Sequence, residues 1–275
     1  MPSKKRILIL GGSGFIGSHL YRELSAFYDT YGTYCSSTTF KANNRYYRYD
    51  AESDDLIDLL VQLKPDVVIS SMRGDKEILK IVHQHPCEYL EQRPVKIIAL
   101  SSANVFDAYS KYPSYENDKT LSESTYGRYQ IHIENAVMRL PKEQWMIARI
   151  PMVFGNGSPR MNEMKYWIHE KQAIEVFPNL SLNVTYADKL TQQLHYCINR
   201  NENGIVHLGS SDLVLHEDLI KALVAKFGNH HPVYKRVYTT NDIRYLAVLP
   251  KTNKLPKHLQ FHVSDVIDHH LEVLS

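Results

Sequence analysis

Apolar residues run unbroken through Ile7-Leu8-Ile9-Leu10 and stop at Gly11. A run without polar alternation predicts a strand covered on both faces, as in a parallel sheet. From Phe15 the apolar period changes. Phe15, Ile16, Leu20, Leu24 and Phe27 recur at helical spacing and predict a helix over 15–26. The two patterns then alternate. Thr30 to Cys35 is rich in Tyr and Thr and reads as a strand. Leu56 to Leu63 reads as an amphipathic helix stopped by Lys64-Pro65, and Asp66 to Ser70 as the next strand. Residues 77–83 predict a helix, 95–100 a buried strand, 126–140 a helix and 145–150 a strand. Strands alternating with helices imply an α/β fold, a doubly wound parallel sheet with helices on both faces. Beyond Phe154 the texture changes. Gly155 to Pro159 reads as a loop, and helices near 187–199 and 216–227 flank a short strand over 204–208.

Gly11, Gly14 and Gly17 directly follow the first strand and open the first helix. In that context they predict a Rossmann-type dinucleotide site. Gly11, Ser13, Gly14, Phe15, Ile16 and Gly17 would present backbone amides to a pyrophosphate at the positive end of the helix. The expected organisation is an NAD(P)-binding domain over 1–154 and a smaller substrate lobe over 155–275, interleaved with the sheet. NAD binders usually place an acid at the end of the second strand, for the ribose 2′-hydroxyl. Here the strand ends in Tyr34-Cys35-Ser36-Ser37. Ser36 and Ser37, with Lys41 nearby, suit a 2′-phosphate, so NADP(H) is expected over NAD(H). Asp50 stands where an acid contacts adenine or caps a helix.

Composition adds exclusions. Across 275 residues, 43% are hydrophobic and 23% charged, enough for a sizeable core. The 32 basic and 30 acidic residues leave a formal charge of +2. That gives no electrostatic footprint for nucleic acid or an anionic membrane. The first apolar run is too short for a signal-peptide core or a bilayer span, so a cytoplasmic protein is expected. Cys35, Cys87 and Cys197 are widely separated and odd in number, and read as reduced thiols. His83-x-His85, His230-His231 and His269-His270 lack partners at zinc spacing, so no metal is expected.

Three further segments complete a pattern. Leu100-Ser101-Ser102-Ala103-Asn104-Val105-Phe106-Asp107 ends a strand in hydroxyls, Tyr126-Gly127-Arg128-Tyr129-Gln130 opens a helix, and Arg149 to Gly155 closes a strand. With the glycine loop they resemble the extended short-chain dehydrogenase/reductases, and among these the dTDP-4-dehydrorhamnose reductase branch. Tyr115-Glu116-Asn117-Asp118 resembles that branch's acidic segment, and Gly204 to Gly209, after Tyr186 to Leu190, its C-terminal pattern. The likeness spans roughly residues 5 to 228. It implies an NAD(P)-dependent reductase of a keto sugar nucleotide or related carbonyl, with a small-molecule substrate and a homodimer through 126–140. Tyr126 matches the general acid and Ser102 the hydroxyl that holds the substrate oxygen. Ser70 and Ser71 would border the cofactor groove, and Pro151 and Val153 would wall the nicotinamide. Asn104 and Trp167 would touch substrate. Each of these six also has a plain structural reading, as backbone partner, core residue or turn.

One position departs. The family's lysine, one helical turn beyond the tyrosine, binds the nicotinamide ribose and lowers the tyrosine pKa; here it is Gln130. Glutamine can bond a ribose hydroxyl but carries no charge. Arg128 is no substitute, lying about 200° around the helix from Tyr126. Tyr115 and Lys119 share the same spacing, but their segment has no apolar face to pack as a helix. Two other readings therefore stand beside the reductase: a dinucleotide-binding sensor or regulatory protein that has lost the chemistry, and an epimerase or dehydratase of the same fold.

Overall fold

The computed structural model describes residues 4–109, 111–228 and 231–269. The chain begins β1 (Arg6–Leu10), α1 (Phe15–Ser25), β2 (Asp29–Tyr34), β3 (Tyr46–Arg48), α2 (Leu56–Leu63) and β4 (Val67–Ser70). It continues α3 (Lys76–Glu91), β5 (Lys96–Ser102), α4 (Thr125–Val137), β6 (Trp145–Ile150), β7 (Met152–Phe154) and α5 (Pro159–His169). Then come β8 (Ile174–Val176), β9 (Leu180–Leu182), β10 (Val184–Tyr186), α6 (Ala187–Asn199), β11 (Gly204–His207) and β12 (Val214–Leu215). The last elements are α7 (His216–Ala225), β13 (Tyr234–Arg236), β14 (Arg244–Leu246) and α8 (Val263–Asp268).

A seven-stranded sheet runs in the order β11-β6-β5-β4-β1-β2-β3. Its ladders β3–β2, β2–β1, β1–β4 and β4–β5 are parallel, as the uninterrupted apolar strands require. Ile7, Leu8 and Ile9 are wholly buried at its centre. Strand order reverses between β1 and β4, and ligands of such sheets bind outside the carboxyl ends at that point. The fold is thus the expected Rossmann-type α/β sheet.

The chain forms two compact units. The first takes the described residues of 1–102, 124–148 and 194–206, and the second those of 103–123, 149–193 and 207–275. The second has its own core, including Phe154, Met161, Leu182, Val184, Leu219 and Phe261. Its small sheets are β7–β10, β12–β9–β14 and β8–β13.

The differences from expectation have local causes. The helix expected over 77–83 extends to Glu91, through Pro86. The proline removes one donor, yet Leu79, Val82, Cys87 and Leu90 continue one buried face beyond it. The Cys87 thiol also donates to the His83 carbonyl at 3.0 Å. The loop expected over 155–159 leads into α5, capped by Ser158 with Pro159 in its first turn. Among the described residues no helix is long and apolar enough to cross a membrane, and no three His, Cys, Asp or Glu gather as a metal site. His230 and His270 lie outside the described residues.

Candidate active site

The glycine loop closes on itself through Gly14 N–H to Gly11 O at 2.9 Å, and Thr33 holds it to β2 by accepting from Gly11 N–H at 2.9 Å. Gly11 has φ +76°, the left-handed region open to glycine. A Cβ at Gly17 would stand 2.1 Å from the Gly11 carbonyl, so only glycine lets α1 start this close to the turn. The helix has neither a side-chain cap nor an acid in its first turn. The amides over Phe15, Ile16 and Gly17 are therefore left for an anion, whereas the Ser13 amide, expected among them, is spent on the Thr33 carbonyl at 3.0 Å. Gly17→Ala is expected to lower thermal stability and weaken dinucleotide binding about tenfold or more, read by melting and by calorimetric titration of NADP(H).

At the carboxyl ends of neighbouring strands the picks divide. Ser36 and Ser37 follow β2, and Ser37 does not cap the short turn Thr38–Phe40. Asp50 follows β3, and α2 is capped by Asp55 instead, which accepts from Ile57 N–H at 2.9 Å. Asp50 pairs with Arg48 at 3.3 Å, and Asp54 approaches the same guanidinium at 3.5 Å. Arg48, in register with Tyr34 at the end of β2, is a cation that the sequence reading missed. Ser71 Oγ donates to the Leu10 carbonyl at 2.8 Å, tying β4 to β1 beside the glycine loop. Ser70 Oγ lies 2.7 Å from His83 Nε2, whose Nδ1 is 2.6 Å from the Leu79 carbonyl. A carbonyl needs a donor, so Nδ1 carries the hydrogen and Ser70 donates to Nε2.

The catalytic picks of the first unit lie on β5 and α4, two elements that pack together. Ser102 ends β5. Ser124 caps α4, accepting from Gly127 N–H at 3.0 Å, and sets the helix start one residue before Tyr126. Tyr126 is half-exposed and Gln130 is buried, one turn along on the same helix. Gln130 Nε2 donates to Tyr126 Oη at 3.2 Å, while Gln130 Oε1 is buried with no partner. The reverse amide orientation would consume the phenolic hydrogen and bury an unpaired NH₂. Burial, with Tyr126 adding to it, pushes the Tyr129 phenol well above its ordinary pKa. Glu134 is buried and accepts from Ser101 Oγ, which clamps α4 to the end of β5. Sequence reasoning missed that pair. Its signal was a hydroxyl before Ser102 and a carboxylate on the apolar side of α4. Tyr115 lies in a turn, with no helix to align it with Lys119.

In the second unit, Asn104 lies in the turn Ala103–Phe106 and Val153 in β7. The Pro151 ring fills the space a side chain at Gly209 would need, 2.7 Å from such a Cβ. Trp167 packs partly buried against the unit's core. A buried polar cluster here escaped the sequence reading. Arg149 donates to the Glu116 carbonyl at 3.2 Å, and its guanidinium lies 4.8 Å from the Phe106 ring centre. The Glu116 carboxylate accepts from the amides of Lys251, Thr252 and Asn253 at 3.0–3.3 Å. Burial alone would raise its pKa, but the amides outweigh that and hold it below the ordinary value.

Residues 5–255 match the sequence model of the RmlD substrate binding domain. The chain belongs to that family. A search of curated protein sequences returns no match. Among solved structures, dTDP-4-dehydrorhamnose reductase from Bacillus anthracis in complex with NADP is similar at 17% identity and TM-score 0.78, over 98% of each chain. A hypothetical dTDP-4-dehydrorhamnose reductase from Sulfolobus tokodaii is similar at 20% identity and TM-score 0.74, over 88% of this chain and 91% of that one. The Bordetella bronchiseptica enzyme WbmH in complex with NAD⁺ matches at 16% identity and TM-score 0.73, over 90% and 89%. At such identities the likeness shows the fold alone, and neighbours solved with either dinucleotide share it.

Proposed function

We propose that the protein is an NADP-dependent reductase of a keto sugar nucleotide or a related carbonyl. The observation that carries the reading is the pair on α4. Gln130 Nε2 occupies a lone pair of Tyr126 Oη, which leaves the phenolic hydrogen directed away from Gln130 and available for transfer. The buried, partnerless Gln130 Oε1 calls for a donor, and a ribose hydroxyl supplies one. The uncapped glycine turn, the crowded Gly17 and this orphaned oxygen together fit a nicotinamide dinucleotide. Such a cofactor contributes the hydride. Tyr126 gives the proton to the carbonyl oxygen, Ser102 orients that oxygen, and Gln130 positions both the tyrosine and the ribose. Asp50 meets the adenine, and Ser70 and Ser71 shape the groove. Pro151 and Val153 are assigned to the nicotinamide, and Asn104 and Trp167 to the sugar. Incubation with a panel of nucleotide-linked keto sugars, followed by NADPH absorbance, tests the reading. Turnover of one member is expected.

The uncharged residue at 130 favours a second reading, a dinucleotide-binding protein without turnover. Tight NADP(H) binding with no turnover on the panel, even in Gln130→Lys, selects it. In either case Ser36, Ser37 and Arg48 are assigned to the 2′-phosphate, the last by charge. NADP(H) is expected to bind about tenfold or more tightly than NAD(H), the equivalent of about 1.4 kcal/mol. Arg48→Ala should narrow that ratio. Tighter binding of NAD(H) by the unaltered chain would remove the assignment.

A further inference from the structure

The second unit holds a cavity of about 480 Å³ lined by none of the residues assigned above to substrate or cofactor. Its volume is in the range of small-molecule sites. Part of its polar lining is already engaged. Gln193 accepts from Gly209 N–H at 3.2 Å and donates to the Leu259 carbonyl at 3.0 Å. Gln260 donates to the Leu255 carbonyl at 2.6 Å, and Ser211 to the Phe261 carbonyl at 3.1 Å. These bonds hold the cavity's shape and leave four side chains for a ligand: Lys251, Lys254, His207 and Tyr115, whose ring centre lies 5.3 Å from the Lys251 ammonium.

Lys251, Lys254 and His207 define a chemistry. Both lysines are exposed, and no carboxylate lines the cavity. The nearby Glu116 spends its oxygens on backbone amides. His207 is fully buried, with Nδ1 3.1 Å from the Leu249 carbonyl. Nδ1 therefore carries the hydrogen and Nε2 is a bare acceptor. That atom is buried without a partner, a state that costs about 1–3 kcal/mol until a donor arrives. Burial first, then the Arg149 cation, lowers the ring's pKa to about 4 and keeps it neutral. Leu249, Pro250 and Leu255 add an apolar wall.

We propose that this cavity binds a small organic anion, with a carboxylate or phosphate at Lys251 and Lys254, an apolar ring on the Leu249–Pro250–Leu255 wall, and a hydroxyl or N–H donated to His207 Nε2. The assignment is independent of the reductase reading. Its test uses the full chain, with and without saturating NADPH. The probes are 4-hydroxybenzoate and 4-hydroxyphenyl phosphate, which carry all three features. Benzoate lacks the donor, 4-hydroxybenzyl alcohol lacks the charge, and inorganic phosphate lacks the ring. At least one full probe is expected to bind at millimolar concentration or below, whichever of the two anions the site takes, and to appear in the cavity in a soaked crystal. The benzoate should bind about tenfold more weakly than its hydroxylated counterpart, the alcohol and free phosphate not measurably. The surface double variant Lys251→Gln/Lys254→Gln should bind the probe about tenfold or more weakly with an unchanged melting temperature. Binding that NADPH displaces, that the double variant retains in full, or that fails for both full probes overturns the proposal. So does a crystal showing only water at His207.

Discussion

Replacing Tyr126 by phenylalanine is expected to lower NADPH-linked carbonyl reduction by about 10²–10⁴-fold, the usual worth of a positioned proton donor. Dinucleotide affinity should change little, since the glycine loop and Gln130 remain. Stability should fall only slightly, because Tyr126 is half-exposed and among the described residues its phenol bonds only to Gln130. The partner experiment is Gln130→Lys. In reduction the tyrosine starts protonated, and the Gln130 amide need only hold it. In oxidation the same group must act as a base, and Gln130 carries no charge to favour its phenolate. An ammonium one turn along favours the phenolate, each unit of lowered pKa being worth about tenfold in its population. Gln130→Lys is therefore expected to raise alcohol oxidation at pH 7 about tenfold and carbonyl reduction less. Steady-state rates in both directions, as a function of pH, check this. Full turnover in Tyr126→Phe would move the active site elsewhere. No gain in the oxidative direction would show that Gln130 does not address the phenol.

What the sequence revealed follows from the range of the forces involved. The helix α2 was legible to the residue because Leu56, Leu59, Leu60 and Leu63 mark one buried face and Lys64, with φ +48°, ends it. The strand β6 was equally plain. The three-residue strands were not. Tyr46-Tyr47-Arg48 is too short to show a period, and β13 and β14 pair with β8 and β9 some sixty residues away. No local pattern encodes such pairings. The helix α5 buries only Met161 and Met164, so its stripe was too thin to read. At the site, the glycine turn and the Tyr126–Gln130 spacing were legible because both are local. Ser101–Glu134 and Arg149–Glu116 were not, because a buried polar residue reads like a surface one until its partner is found.

Acidification from pH 7 to 4.5 is expected to destabilise the second unit by about 5 kcal/mol, through two buried histidines. Burial, then Arg149, lowers the His207 pKa to about 4. Burial, then Arg160, lowers that of His216 to about 4, and its Nδ1 accepts from Phe177 N–H at 3.3 Å. The sign follows from proton counts. Between the unfolded value of about 6.5 and the folded value near 4, the unfolded chain holds a proton that the folded chain does not. Stability contributed by each ring is thus complete above about 6.5, falls with pH through that window, and is gone below about 4. The loss is about 2–3 kcal/mol per histidine at pH 4.5, a large part of the 5–15 kcal/mol typical of folded domains. Glu116 acts in the same direction: its depressed pKa contributes stability that is lost as pH falls through the folded value, when protonation releases the amides of Lys251 to Asn253. Denaturant melts at several pH values, with histidine Cε1–H shifts followed by NMR, measure the window directly. His216→Gln, which offers the Phe177 amide a carbonyl that does not titrate, should be less stable at pH 7 but remove about half the slope between pH 6.5 and 4.5. A flat stability profile across that interval, or His207 and His216 resonances that titrate near 6.5 in the folded chain, would contradict the burial that the structure gives these rings.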